Sequence, residues 1–162
     1  MVKRACWFLV LVGVLAVAQQ TSDPIDVEKA NQAIVKRYVD ELYNRHDVSK
    51  IDQILAPGFR LKTTSQDLDF AGARKLFSEP QSAFPDWKME ISDMMVDRNT
   101  VVIRNQFSGT HEGMFWGLAA THKKCAATGT EAFRIEQGKI TSVWVTTNQV
   151  PLLTCLGLLG GR

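Results

Sequence analysis

The chain has 162 residues, of which 45% are hydrophobic and 22% charged, with 19 Lys and Arg against 17 Asp and Glu. A formal net charge of only +2, with acids and bases mixed along the chain, excludes an extended basic surface for nucleic acid. About 144 residues remain once the first 18 are set aside, which is enough for one domain with a sizeable core. We therefore expect a single domain.

The N-terminus predicts a signal peptide. Lys3 and Arg4 precede an unbroken apolar run over residues 5–18, and a polar segment follows. This run is shorter than the roughly 20 residues that a membrane-spanning helix needs. Ala16 and Ala18 provide the small residues that a signal peptidase requires, so we expect cleavage after Ala18, export to a periplasm or outside the cell, and no stable membrane anchor afterwards. The alternative is an uncleaved anchor or a buried helix.

We therefore divide the chain into a signal peptide at 1–18, a short polar lead at 19–25 and one folded domain at 26–159. The domain is predicted to open with helices, since Asp23 and Pro24 suit a helix entry and Val27, Ala30, Ile34, Tyr38 and Leu42 then recur at helical spacing.

Two further short helices are expected. Asp47 can cap the first, whose apolar stripe is closed by Pro57 and Gly58. The second carries Phe70, and it stops near Ser78 or kinks before Phe84, because a proline within a helix removes a hydrogen bond.

Alternating apolar and polar residues in the rest of the chain predict an antiparallel sheet. We expect strands near residues 59–64, 87–95, 101–107, 125–135 and 140–147, with turns at 97–99 and 137–138. The apolar tail at 150–159 is expected to dock on the sheet. Helices followed by consecutive strands indicate an α+β fold.

The cysteines leave two alternatives open. Cys6 lies in the predicted signal peptide, so Cys125 and Cys155 either form a disulfide in an oxidising compartment or remain two buried free thiols. No His or Cys stands at the spacing of a metal site, and no phosphate-binding glycine loop, nucleophile elbow or redox motif is present. We therefore predict neither a metal nor a cofactor.

Polar residues on apolar strand faces are the most informative pattern. Asp93, Asn105 and Glu131 each share strand parity with apolar residues, Asn105 with Phe107 among them, so all three are expected to point toward the core. A buried polar group without a partner is costly, and a pocket would explain all three at once. Glu131 and Asp93 are then candidate acid/base groups, and Asn105 and Phe107 are candidate ligand contacts.

Each of these residues also has a structural explanation. Asp93 lies near a strand end and can be solvated. Asn105 can mark a β-bulge or make an internal hydrogen bond. Glu131 can pair with Arg104 or Lys124 on a neighbouring strand.

A loop after the strand predicted at 101–107 adds further candidates. His111 leads into it and is either a proton-transfer group or a hydrogen-bonded structural residue. Phe115 and Trp116 are either lids of a pocket or ordinary core aromatics. Tyr38 and Trp144 are interpreted as core residues.

Several segments together resemble the SnoaL-like polyketide cyclases of the nuclear transport factor 2-like superfamily. The similarity lies in residues 34–38, 43–47 and 55–59, and in the later segments 83–86 (AFPD), 107–113 (FSGTHEG) and 133–140 (FRIEQGKI). They stand in the family's order and cover nearly all of the mature chain. The resemblance implies a cone-shaped domain, in which a curved antiparallel sheet packs on N-terminal helices around an internal pocket, often as a homodimer through the outer face of the sheet.

The resemblance also implies a chemistry. Family cyclases close a ring by intramolecular aldol condensation without a cofactor, using a carboxylate on the last strand and a His on the preceding strand. Here the His position corresponds to Glu131 and the carboxylate position to Val145, which cannot move a proton and is instead a candidate ligand contact. The family's Pro-Pro-Thr-Gly loop reads Ala-Ala-Thr-His at residues 119–122.

Two functions follow as expectations. The first is binding of a small, largely apolar molecule, with acid/base chemistry by Glu131 supported by Asp93 or His111. The second is a non-catalytic ligand-binding or dimeric interaction module, which Val145 favours.

Overall fold

The computed structural model describes residues 24–78 and 82–159 of the chain. The predicted signal peptide and nearly all of the polar lead lie outside these residues. Among the described helices, none combines the length and the apolar character needed to cross a membrane.

The N-terminal helix begins as α1 (Pro24–Arg37) and continues as a π-helical segment at Tyr38–Asn44. A 3-10 turn at Val48–Lys50 leads into the short helix α2 (Ile51–Ile54). The predicted cap is present, since the Asp47 side chain accepts a hydrogen bond from the backbone N–H of Ser49. Helix α3 (Phe70–Ser78) ends at Ser78, as the sequence indicates.

Within residues 24–78 and 82–159, six strands form one curved sheet in the order β2-β1-β6-β5-β4-β3. The strands are β1 (Leu55–Lys62), β2 (Asp67–Leu68), β3 (Lys88–Asp97), β4 (Thr100–Thr110), β5 (Lys124–Glu136) and β6 (Lys139–Asn148). All neighbours pair antiparallel except β1 and β6, which are parallel. The predicted α+β fold, with a curved sheet packed on N-terminal helices, is confirmed.

The boundary between α2 and β1 differs from the prediction. Pro57 and Gly58 do not close a helix, because α2 already ends at Ile54 and the strand begins at Leu55. The two residues lie in an irregular stretch of the pairing between β1 and β6, which resumes at Arg60. A β-bulge accommodates a proline, which has no N–H to donate to a neighbouring strand.

The core lies between the helices and the concave face of the sheet. Tyr38 and Leu42 from the π-helical segment are completely buried there, as are Phe59 on β1 and Phe133 on β5. The ring of Tyr38 meets that of Phe133 edge to face at 5.1 Å between centroids.

An asparagine side chain fixes the end of the helix to the sheet. Asn44 donates a hydrogen bond to the backbone oxygen of Met89 at 3.0 Å and accepts one from the Met89 N–H at 2.8 Å. β3 is an edge strand and has no strand neighbour on this side, so these two hydrogen bonds satisfy the backbone groups of Met89.

The C-terminal helix α4 (Val150–Leu156) packs on β5, in agreement with the predicted docking of the tail. Cys155 on α4 and Cys125 on β5 form a disulfide in the structure, with 5.8 Å between their Cα atoms. Lys123 also donates a hydrogen bond to the backbone oxygen of Cys155 at 3.1 Å.

Candidate functional site

Glu131 lies in the middle of β5 with its side chain completely buried on the concave face of the sheet. Its strand neighbours are Ile103 on β4 and Val145 on β6. One carboxyl oxygen, Oε1, accepts a hydrogen bond from Nδ2 of Asn105 at 3.0 Å, and Oε2 has no partner among the described residues. Arg104 is exposed on the opposite face of the sheet, so the ion pair considered from the sequence does not form there.

Burial sets the protonation state of this carboxyl group. Loss of hydration disfavours the charged form and raises the pKa of Glu131 from 4.5 to about 8, although the hydrogen bond from Asn105 acts in the opposite direction. At neutral pH the side chain is therefore mainly a neutral carboxylic acid. A group of this kind can donate a proton and take it back.

The side chain of Asn105 fits in its position because the residue opposite it on β5 is a glycine. Gly129 lies directly opposite Asn105 across the β4–β5 pair, and a Cβ atom on Gly129 would come within 2.6 Å of Oδ1 of Asn105. The amide nitrogen also lies 3.7 Å from the sulfur of Met89, whereas Oδ1 has no hydrogen-bond partner among the described residues. The predicted inward orientation of Asn105 is confirmed, with only 2% of the residue exposed.

Tyr38 and Tyr43 complete the polar interior, and Tyr43 was missed by sequence reasoning. The π-helical segment turns both rings to the same side, with their centroids 6.1 Å apart. Burial raises the pKa of both phenols, and the nearby Glu131 charge raises it further. The hydroxyl of Tyr38 is buried without a hydrogen-bond partner in the described structure. Helical periodicity could not reveal Tyr43, because residues five apart share a face only in a π-helix.

A recess of about 210 Å³ opens beside this interior, and we call it the aromatic recess. Its main walls are Tyr43, Phe84, Trp87, Phe107, Phe115 and Leu152. Trp87 stacks on Phe107 with 5.7 Å between centroids, and the rings of Tyr43 and Phe107 lie 5.8 Å apart. Glu131 is not exposed to the recess. Tyr43 connects the recess with Glu131. It lines the recess, and the charge of Glu131 raises the pKa of its phenol.

A second recess of about 500 Å³ adjoins the first, and we call it the polar recess. It is lined by residues 63–66 between β1 and β2, by Trp116, by Val145 and the end of β6, and by Gln149. Val145 is half-buried and lies directly opposite Glu131 in the pairing of β5 with β6. Of the predicted ligand contacts, Phe107 and Phe115 line the aromatic recess, whereas Trp116 and Val145 line the polar recess.

The side chain of Asp93 does not point in the direction that the sequence predicts. The prediction that it points toward the core is wrong, because the pairing of β3 with β4 shifts by one residue between Ile91 and Asp93. A β-bulge of this kind reverses strand parity, so Asp93 is exposed and Met94 takes the inward position. Met95, which shares strand parity with Asp93 in the sequence, is likewise on the outer face and is 54% exposed. Asp93 therefore cannot assist Glu131.

His111 is buried but lies far from Glu131. It follows Ile103, the neighbour of Glu131, by eight residues, which corresponds to about 25 Å along an extended strand. Its ring stacks on Phe84 with 5.2 Å between centroids. The Nδ1 atom accepts a hydrogen bond from the backbone N–H of Thr121 at 3.2 Å, so the proton of the neutral ring is on Nε2, which is buried without a partner in the described residues.

The three residues predicted to be catalytic do not lie together in the structure. Of these three, only Glu131 occupies the polar interior, where Asn105 is its hydrogen-bond partner and its charge raises the pKa of Tyr38 and Tyr43. Trp144, interpreted as a core residue from the sequence, is 47% exposed on the outer face of the sheet. Within residues 24–78 and 82–159, no three His, Cys, Asp or Glu side chains gather as metal ligands.

Comparisons with known proteins agree with the fold and with the family resemblance. The model of the family described as SnoaL-like polyketide cyclase matches residues 33–156, and the chain belongs to this family. No curated protein matches the chain.

Solved structures of similar fold come from several bacteria. AclR from Streptomyces galilaeus, described as a hydroxylase, is 28% identical with a TM-score of 0.72, and the match covers 82% of this chain and 99% of AclR. TsrD from Streptomyces laurentii is 24% identical with a TM-score of 0.70, covering 81% of this chain and 97% of TsrD. A protein from Jannaschia sp. CCS1 described as a SnoaL-like polyketide cyclase is 19% identical with a TM-score of 0.70, covering 83% and 96%.

Proposed function

We propose that the protein binds a small, largely apolar molecule of about two fused rings in the aromatic recess and moves protons on it with Glu131, without a cofactor. The observation that carries this proposal is a neutral carboxyl group in the apolar interior, with one oxygen fixed by Asn105 and the other unpartnered among the described residues. The ligand's size follows from the recess, since 210 Å³ exceeds the roughly 150 Å³ of an apolar cavity that holds benzene.

In this proposal the ligand reaches Glu131 through the aromatic side chains at the base of the recess. Both rings line the recess while Glu131 is completely buried, so the proposal requires Tyr43 or Phe107 to rotate and admit the ligand. Glu131 then donates its proton to a carbonyl oxygen of the ligand, since at neutral pH it holds that proton. The carboxylate that remains takes a proton from the carbon next to the carbonyl group, which leaves the enol of the ligand and restores the neutral acid. Proton transfer of this kind supports cyclase or isomerase chemistry, and the hydroxyl of Tyr38 is a second donor nearby without a partner in the described structure.

The test is proton exchange on a two-ring ketone. 2-Tetralone in D2O exchanges the hydrogens next to its carbonyl group, and NMR follows the exchange directly. We expect the wild-type protein to accelerate exchange and Glu131→Gln to abolish the acceleration, because Gln keeps the shape but cannot transfer a proton. Asp93→Asn is the matched control, since this carboxylate lies on the other face of the sheet.

The experiment can exclude proton transfer by Glu131 without excluding binding of the ligand. If both proteins bind 2-tetralone by calorimetry and neither accelerates exchange, Glu131 does not act as an acid/base group. If Asp93→Asn reduces exchange as much as Glu131→Gln does, the effect is not specific to the interior carboxyl group.

A second candidate function is a non-catalytic dimeric module, and two observations favour it. Val145 stands where the family resemblance calls for a carboxylate. The outer face of the sheet also carries an apolar row across four strands, in which Met95, Val102, Ala132 and Trp144 are successive strand neighbours. Sedimentation analysis of wild type and Trp144→Lys tests it: a wild-type dimer that the variant dissociates supports the module, and a wild-type monomer excludes it.

We also propose that the protein is exported after cleavage following Ala18. The disulfide between Cys125 and Cys155 supports this, because such bonds persist in oxidising compartments. Mass spectrometry of the protein from its native cells should find Gln19 at the N-terminus. An intact Met1 in the membrane fraction would contradict export.

A further inference from the structure

The two recesses are neighbours that share lining residues and have walls of different chemistry. Thr147 and Gln149, at and just beyond the end of β6, line both of them. On one side the walls are aromatic rings and Leu152. On the other side they are hydroxyl and amide groups. A ligand that fills the aromatic recess therefore extends into the polar recess if it carries a substituent on that side.

The polar recess is built from uncharged groups. Residues 63–66, Thr147 and Gln149 carry hydroxyl and amide side chains, and no charged residue among those described lines the recess. The turn at residues 63–66 is already ordered, because the Thr63 hydroxyl accepts hydrogen bonds from the N–H groups of Ser65 at 3.2 Å and Gln66 at 2.9 Å. An ordered set of neutral donors and acceptors suits an uncharged hydroxylated group better than an ion.

Trp116 provides an aromatic face at this recess under unusual backbone geometry. The N–H and C=O groups of Phe115 and Leu118 bond to each other, which closes a two-residue turn with Trp116 and Gly117 at its tip. Both tip residues have positive φ, 49° and 81°, as in a type I′ turn. Asn or Asp is the usual residue at the first of these positions, whereas a bulky side chain is strained there.

The side chain of Trp116 gains little burial in exchange for this strain. One face stacks on Phe115 with 4.9 Å between centroids, yet 65% of the residue remains exposed. Packing therefore does not explain a tryptophan at this position. A flat aromatic surface beside hydroxyl and amide groups does have a use, because sugar rings stack their C–H faces on aromatic rings while their hydroxyls form hydrogen bonds.

We propose that the ligand is an aromatic molecule that carries an uncharged, polyhydroxylated group such as a sugar, with its rings in the aromatic recess and the hydroxylated group in the polar recess against Trp116. This inference rests on the proposed function, since it requires an aromatic molecule in the first recess. It adds a second subsite, formed by Trp116, the turn at 63–66 and the end of β6, and it identifies the class of substituent that this subsite accepts.

The experiment compares three probes by calorimetry with the full protein. 2-Naphthol occupies only the aromatic recess, 2-naphthyl β-D-glucopyranoside extends into the polar recess, and 2-naphthyl sulfate extends there with a charge. We expect the glucoside to bind about tenfold more tightly than 2-naphthol, the gain of one or two good polar contacts, and the sulfate to gain nothing.

Trp116→Asn is the decisive variant, because Asn is favoured in a type I′ turn and the fold should be kept or strengthened. We expect the glucoside to lose its advantage over 2-naphthol in this variant, while 2-naphthol binds as it does to wild type. Gln66→Ala is a second variant. It removes the amide side chain but keeps the turn, because Gln66 bonds to Thr63 only through its backbone. It should reduce the advantage of the glucoside by several-fold.

The outcomes separate this inference from the proposed function. If 2-naphthol binds and the glucoside binds no more tightly, the polar subsite is wrong and the aromatic recess stands. If Trp116→Asn weakens both ligands equally, Trp116 belongs to the aromatic recess and the inference is likewise overturned. If neither ligand binds wild type, the proposed function itself fails and the subsite fails with it.

Discussion

Replacing Glu131 with Gln should change how the stability of the protein depends on pH. In the folded protein the carboxyl group keeps its proton up to about pH 8, whereas in the unfolded chain it loses it near pH 4.5. Between these values the native state binds the additional proton, so the free energy of unfolding falls as the pH rises through this window and levels off above it. Below pH 4.5 the contribution of the neutral group is fully present.

The magnitude follows from the two pKa values. One pKa unit corresponds to about 1.36 kcal/mol, so the whole window from 4.5 to about 8 amounts to about 5 kcal/mol. Roughly 3 kcal/mol of this is lost by pH 7. That is a large share of the roughly 5–15 kcal/mol by which domains of this kind are usually stable. The glutamine side chain of the variant does not titrate, so Glu131→Gln should lack this loss.

Urea unfolding followed by tryptophan fluorescence at pH 4, 5, 6, 7 and 8 measures the effect. The difference in unfolding free energy between Glu131→Gln and wild type should grow in favour of the variant by about 3 kcal/mol from pH 4 to pH 7. Asp93→Asn serves as the control, because it removes a carboxyl group on the exposed outer face of the sheet and leaves Glu131 in place. Parallel curves for Glu131→Gln and wild type would refute the neutral interior carboxyl group.

Other predictions concern packing, the disulfide and an unpartnered hydroxyl. Gly129→Ala should lower the unfolding free energy by about 1–3 kcal/mol in urea, because the new Cβ would lie 2.6 Å from Oδ1 of Asn105; an unchanged midpoint would contradict this close contact. Replacing Cys125 and Cys155 together by Ser should cost about 3–4 kcal/mol for a loop of 30 residues, seen as a lower melting temperature that reducing agent no longer affects; equal melting temperatures of oxidised wild type and variant would argue against the bond. Tyr38→Phe should leave stability unchanged or raise it by about 1 kcal/mol, since the hydroxyl has no partner among the described residues, and a loss above about 1 kcal/mol in urea would reveal a hydrogen bond.

Strand parity predicted the most important part of the site. β4 and β5 pair over eleven consecutive residues without a register shift, so alternation carried Asn105 and Glu131 to the concave face as expected. The cap at Asp47 and the end of α3 at Ser78 could also be predicted from the sequence, because both depend on local hydrogen bonds and backbone preferences.

The errors arose where backbone irregularities change the periodicity. The bulge after Ile91 adds one residue to β3 and moves Asp93 to the outer face, and no residue in that segment marks it. The change from α- to π-helix at Tyr38 places the rings of Tyr38 and Tyr43 on the same side, an arrangement that α-helical periodicity does not predict. His111 is kept away from Glu131 by the length of β4, because a shared strand face does not bring its two ends together.

NMR of a protein with 13C-labelled Glu side chains shows whether an aromatic ligand reaches a neutral Glu131 in the interior. Titration of the Glu131 carboxyl resonance, assigned with Glu131→Gln, should give a pKa of about 8 in the free protein, well above the ordinary 4.5. Saturation with 2-tetralone should move both this resonance and its pKa, since the ligand's carbonyl oxygen would take the place beside Oε2, which lacks a partner among the described residues. A pKa near 4.5, or a resonance unaffected by bound ligand, would contradict the account.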